Sequence, residues 1–167
     1  MPELPEVEVV KKSLKRKILN LIIKKVNISD SNLRYKLNKK KMSKLVGKRF
    51  LKIERRSKFL IFEFDKNIFM LVHLGMTGKF FFIDKKKMKF KTSFYYNINQ
   101  LKDQKYDRVI FDLQNKERLI YNDVRKFGFI KLYNKKNFKE NSHIKNLGPE
   151  PLKKNWNVKY FEKYIYN

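Results

Sequence analysis

The sequence has no cysteine and no alanine, and only two histidines, five glycines and four prolines in 167 residues. Without cysteine there is no disulfide framework, no cysteine nucleophile and no cysteine-ligated zinc in this chain. His73 and His143 are too few for a histidine metal cluster, so no metal and no cofactor are expected. No apolar run reaches the roughly 18 residues that cross a bilayer. The start also lacks the charged-then-apolar layout of a signal peptide. The expected location is cytoplasmic.

Acidic residues are scarce too: 16 against 42 basic ones, a net charge of +26. Such an excess points to a polyanionic partner, most often nucleic acid. Composition offers a second source for it. Lys, Asn, Ile, Phe and Tyr supply 88 of the 167 residues, and all five have A/T-rich codons. Individual arginines therefore carry more weight than the lysines.

At this length, with 42% hydrophobic and 15% aromatic residues, the chain can bury the core of one domain plus part of another. Val7, Val10, Leu14, Ile18 and Leu21 recur at spacings of three and four, which predicts an amphipathic helix over 4–18. Residues 27–45 are polar and lysine-rich and read as mostly loop with a short helix. From Val46 onward short runs rich in Phe, Ile, Leu and Val follow one another: KRFLKIERR, SKFLIFEF, NIFMLVHL, GKFFFI, YDRVIFDL, RLIYNDV and FGFIKLY. Turn signals separate them, which predicts an antiparallel sandwich or barrel. Residues 84–105 read as a long polar loop. Trp156, Tyr160, Phe161 and Tyr164 then fall at helical spacing near the end of the chain.

The first ten residues, MPELPEVEVV, admit two readings. Pro5 suits a first helical turn, and Glu3, Glu6 and Glu8 favour the positive end of a helix dipole. That reading leaves Pro2 without a role. Removal of Met1 would make Pro2 the N-terminus, a secondary amine with a pKa near 8 rather than the ~10.4 of lysine. Such an amine attacks a sugar C1′ or an aldehyde and gives an iminium ion, a strong electron sink. Glu3 would stand beside it as a proton donor or relay.

MPELPEVE (1–8), RRSK (55–58), HLGMTG (73–78), NDVRKFG (122–128) and LGPEP (147–151) resemble, in order, motifs of the formamidopyrimidine-DNA glycosylase family. These are bifunctional base-excision repair enzymes, both DNA glycosylase and AP lyase, acting on oxidised purines. Together the motifs cover about 150 residues, the family's catalytic N-terminal domain. The resemblance implies a two-layer antiparallel β-sandwich flanked by an N-terminal helix. It places the catalytic domain at 1–148, with 149–167 a linker and the first helix of a helical, zinc-finger domain whose remainder is not in this chain.

The resemblance also implies roles. Pro2 would be the Schiff-base nucleophile and Glu3 the proton donor of the glycosylase step. Glu6 would be a supporting carboxylate, or equally a helix-terminal acid. Lys58 would assist elimination and contact phosphate. Met76 would enter the base stack where the lesion is flipped out, with Arg125 pairing the orphaned base or a phosphate and Phe127 stacking. Strand alternation would put 125 and 127 on one face. Tyr106 stands where the family commonly has a DNA-contacting histidine. Val124 and Lys126 stand where it often has proline and arginine. His73 reads as a structural residue at a strand end.

The implied partner is damaged double-stranded DNA, bound by a monomer of a bacterial-type, nucleoid-associated protein. The implied chemistry is removal of 8-oxoguanine or formamidopyrimidines, then β,δ-elimination. The family's structural zinc would need cysteines that this chain does not have. The alternative is a non-catalytic or inactive DNA-binding fragment of the same family.

Overall fold

The computed structural model describes residues 2–85, 89–91, 104–151 and 157–165. Helix α1 spans Leu4–Ile18, as the periodicity predicts, and it buries Val7, Val10, Leu14 and Ile18. Lys15, Arg16 and Lys17 in its last turn complement the negative end of the helix dipole. Among the described residues nine strands follow the helix. They are β1 (Ile23–Ile28), β2 (Phe50–Arg56), β3 (Phe59–Phe64), β4 (Ile68–His73), β5 (Lys79–Ile83), β6 (Lys89–Lys91), β7 (Asp107–Leu113), β8 (Arg118–Asn122) and β9 (Phe129–Asn134). Short helices α2 (Lys39–Ser43), α3 (Lys135–Lys139) and α4 (Ser142–Lys145) join them, and α5 spans Val158–Ile165.

The strands form two antiparallel sheets, ordered β1-β7-β8-β5-β6 and β2-β3-β4-β9. All seven sequence-predicted runs are strands. Sequence reading missed β1, because its Lys24, Lys25 and Asn27 face outward on an edge strand and mask the apolar alternation. The expected loop at 84–105 is interrupted by β6, which pairs with β5. Residues 86–88 and 92–103 of that stretch lie outside those described, as does Trp156 of the predicted C-terminal helix.

Between the sheets lies an aromatic core. Leu60, Phe62 and Phe64 alternate inward along β3. Phe62 meets Phe80 of the facing sheet at 5.9 Å between ring centroids, and Phe80 meets Tyr121 at 5.3 Å. Helix α1 packs against β2 and β3. Burying four aliphatic side chains on that helix contributes about 1.5–3 kcal/mol each.

One consequence of register matters for function. Phe59 opens β3 opposite His73, and His73 lies opposite Phe129, which opens β9. Three connections therefore emerge at the same end of one sheet: Ser57–Lys58, Leu74–Gly78 and Asp123–Gly128. The N-terminus of α1 reaches that end as well, through Glu3 and Lys58.

Candidate functional site

The N-terminal motif builds a helix start and more. The Glu6 carboxylate accepts from the Glu3 backbone N–H at 3.0 Å, half of a capping box. Glu6 thus caps the helix and fixes the backbone of Glu3. The side chain of Glu3 points to Lys58, with Oε2 and Nζ 2.7 Å apart. Pro2, immediately before them, is buried while Glu3 is exposed. With Met1 attached the Pro2 nitrogen is an amide and cannot attack.

Lys58 follows a turn held with unusual thoroughness. Ser57 adopts a left-handed conformation, φ 51°. Its N–H donates to Glu150 Oε1 at 2.6 Å, and its carbonyl accepts from Arg55 at 3.0 Å. Arg55 also donates to Glu8 of α1 at 2.8 Å and to Glu150 Oε2 at 2.7 Å. Arg56 donates to Glu150 Oε1 at 3.0 Å and to the carbonyls of Leu147 and Gly148. Glu150 is only 7% exposed. Burial pushes its carboxyl up, but Arg55, the Ser57 N–H and Arg56 outweigh burial and hold it at about 2. These contacts tie the 147–150 stretch to the turn between β2 and β3.

Met76 and Phe127 are large apolar side chains left 44% and 45% exposed. Arg125 stacks on Phe127, its guanidinium carbon 4.6 Å from the ring centroid. The pairing does not arise from strand alternation, as the sequence reading had it. Residues 123–128 form a loop, and Lys126 at φ 60° turns the chain so that its neighbours meet.

Two glycines let this loop touch the Met76 turn. A Cβ on Gly75 (φ 61°) would lie 2.5 Å from the backbone nitrogen of Gly128. Between the loops, Asp123 is fully buried. It accepts from Thr77 Oγ1 at 2.5 Å, Gly128 N at 2.9 Å and the Tyr121 hydroxyl at 3.4 Å. Burial first, and the Asp123 charge second, hold the Tyr121 hydroxyl protonated. Thr77 Oγ1 in turn accepts from the Arg125 N–H at 3.0 Å.

Arg108, buried on β7, braces the other side through the Asp123 carbonyl at 2.8 Å and Asp30 at 3.2 Å. Asp30 also pairs with Lys126 at 2.7 Å. Tyr106 lies at the root of this loop: its carbonyl accepts from Asp123 N at 3.1 Å, and Arg108 covers its ring.

The paired loops wall an open cleft of about 690 Å³, lined also by Asn32, Leu33, Arg34 and His73. His73 does sit at a strand end, where Nδ1 accepts from Gly75 N at 3.1 Å. Burial, followed by Arg34, Lys58 and His143, lowers its pKa. The structure therefore gathers Glu3, Glu6 and Lys58 at one place, and Met76, Arg125, Phe127 and Tyr106 at a second, on the same sheet end. Sequence reasoning missed Asp123, Thr77, Arg108, Arg34 and Glu150. Thr77, Asp123 and Glu150 stood inside quoted motifs, the one usable signal.

A structural zinc does not fit the residues present. The chain has no cysteine. Among the described residues no three His, Asp or Glu side chains are grouped to hold a metal. Nor, among the described residues, is any helix long and apolar enough to cross a membrane.

Residues 1–130 match the family model for the formamidopyrimidine-DNA glycosylase N-terminal domain. The chain is 43% identical over 163 residues to the formamidopyrimidine-DNA glycosylase of Rickettsia felis, covering 97% of this chain and 53% of that protein. It is 37% identical over 167 residues to that of Rickettsia bellii, covering 100% and 56%. The chain thus spans about half the length of these curated relatives. Among solved structures, the Lactococcus lactis Fpg in complex with abasic-site DNA superposes with a TM-score of 0.77. That match has 28% identity over 97% of this chain and 55% of that one. Sequence, architecture and site geometry agree: the chain belongs to the formamidopyrimidine-DNA glycosylase family.

Proposed function

We propose that this chain supplies the catalytic half of a base-excision repair DNA glycosylase and AP lyase acting on oxidised purines in duplex DNA. The observation that carries the reading is the Glu3–Lys58 contact of 2.7 Å beside Pro2, at the sheet end that also bears the Met76 wedge. Once Met1 is removed, the Pro2 nitrogen attacks C1′ of the damaged nucleotide and the bond to the base breaks. Glu3 takes up the proton that the Pro2 amine releases on bonding C1′ and passes it to the ring oxygen as the sugar opens, leaving an iminium between Pro2 and C1′. The iminium acidifies the C2′ proton. Its removal expels the 3′ phosphate, and a second elimination expels the 5′ phosphate. Lys58 holds phosphate and shuttles protons in these steps.

Met76, Arg125 and Phe127 fill the space left by the extruded nucleotide, and Tyr106 hydrogen-bonds backbone phosphate. The protein acts as a monomer in the cytoplasm without a metal or redox cofactor. Residues 1–148 form the catalytic domain and 149–167 lead toward a second one. The L. lactis neighbour bound to abasic DNA is consistent with this partner.

The test is borohydride trapping on a duplex carrying one pre-formed abasic site, at low salt. Chain that starts at Pro2 gives a covalent adduct by denaturing gel. Chain carrying a tag ahead of Pro2 gives none. Failure of the first, or an equal yield from the second, overturns the assignment of Pro2.

A further inference from the structure

We propose that Glu150 is a positioning residue for catalysis, acting through the Ser57–Lys58 turn. The inference rests on the reading above that Lys58 serves the lyase steps. The Glu3–Lys58 pair is open to water, with side chains 54% and 32% exposed. Such pairs contribute little and do not fix a flexible lysine. The aim of Lys58 must therefore come from its backbone.

That backbone leaves a left-handed residue that is not glycine: Ser57 at φ 51°, a conformation unfavourable for a residue with a Cβ. Unfavourable conformations of this kind persist only where the surroundings over-determine them. Here the surroundings are Glu150. One carboxylate oxygen takes the Ser57 N–H at 2.6 Å and the other takes Arg55 at 2.7 Å, while Arg55 closes the circuit on the Ser57 carbonyl at 3.0 Å. Both peptide groups of the strained residue are thus held by one buried anion and the arginine it orients. Glu8 extends the same clamp to α1, whose first residues carry Pro2 and Glu3. A second consequence follows for the RRSK motif. Arg55 and Arg56 are committed inward to Glu150, so Lys58 is the cation of this motif left to meet DNA.

The deciding variant is Glu150→Gln, which keeps an acceptor for Ser57 N but turns an amide N–H₂ on the arginines. Trapping is followed against DNA concentration. The maximal rate is expected to fall at least about tenfold, with the half-saturating DNA concentration changed less than about twofold. Adding Ser57→Gly to the Glu150→Gln variant removes the strain and is expected to recover several-fold of the lost rate. A rate within twofold of the parent in folded protein, or a change only in half-saturation, overturns the proposal.

A second measurement does not depend on turnover. In ¹⁵N-resolved NMR, Glu150→Gln is expected to shift the Ser57 and Lys58 amides and erase the left-handed signature at Ser57. Unchanged resonances there overturn the proposal even if the parent chain traps nothing, an outcome that would separately defeat the lyase reading.

Discussion

At the scale of single residues, the wedge depends on groups that never face solvent. Asp123 is fully buried and serves three donors from two loops and a strand. Removing it leaves the buried Gly128 N–H without its acceptor, leaves the half-buried Thr77 hydroxyl without its own, and leaves Tyr121 only the His73 carbonyl at 3.5 Å. Each orphaned buried donor costs about 1–3 kcal/mol. Asp123→Ala should therefore lower the unfolding free energy by about 3 kcal/mol or more, read by urea titration. Thr77→Val keeps the shape and loses only the hydroxyl; about 1–2 kcal/mol is expected. Because that hydroxyl also holds the Arg125 N–H, excision of an intact lesion should suffer more than trapping on a pre-formed abasic site.

The contrast explains what was legible in the chain. Pro2, Lys58, Met76, Arg125 and Phe127 could be found because local motifs carry them. Asp123 and Glu150 act on partners 46 and 93 residues away, a distance that no local spacing encodes.

At the scale of elements, regularity decided what could be foreseen. Helix α1 was readable to its ends because its buried residues keep strict three-and-four spacing. β1 was not, because an edge strand with an exposed lysine pair reads as polar chain. The loop after β8 was misread as strand, since its Arg–Lys–Phe pattern alternates while its backbone does not. The wedge is consequently a pair of loop tips fixed at their bases, with Met76 and Phe127 left nearly half exposed.

That arrangement separates stability from function. Met76 and Phe127 are nearly half exposed, so Met76→Ala and Phe127→Ala should each change the melting temperature little, consistent with less than about 1 kcal/mol. The same substitutions should cut excision from intact duplex at least tenfold, since each removes one of the two exposed apolar side chains that fill the vacated stack. Trapping on abasic sites should fall by a smaller factor. Equal losses on both substrates would place these side chains outside lesion capture.

At the scale of the whole molecule, His73, His143 and Glu150 all favour neutral pH. His73 sits partly buried, with Nδ1 accepting from Gly75 and with Arg34, Lys58 and His143 nearby. Burial, then Lys131 and Arg34, also lowers the pKa of His143, whose Nε2 lies 3.0 Å from the Lys131 ammonium. Both histidines have folded pKa values below the usual 6.5. The unfolded chain therefore binds protons first as pH falls through 6.5, and stability declines from there toward the folded values.

Glu150 acts lower. Its folded value of about 2 lies below the usual 4.5, so its contribution is whole above 4.5 and is lost between 4.5 and about 2. With the side chain 7% exposed, that shift is worth about 2–3 kcal/mol. Urea titrations across pH should show two limbs. Replacing both histidines with glutamine should flatten the limb that begins near pH 6.5 and leave the acid limb in place. Glu150→Gln should be less stable by about 2–3 kcal/mol at neutral pH, and its deficit should shrink as pH falls below 4.5. A deficit independent of pH would mean that the carboxylate charge contributes nothing and that shape alone holds the tail segment to the sheet.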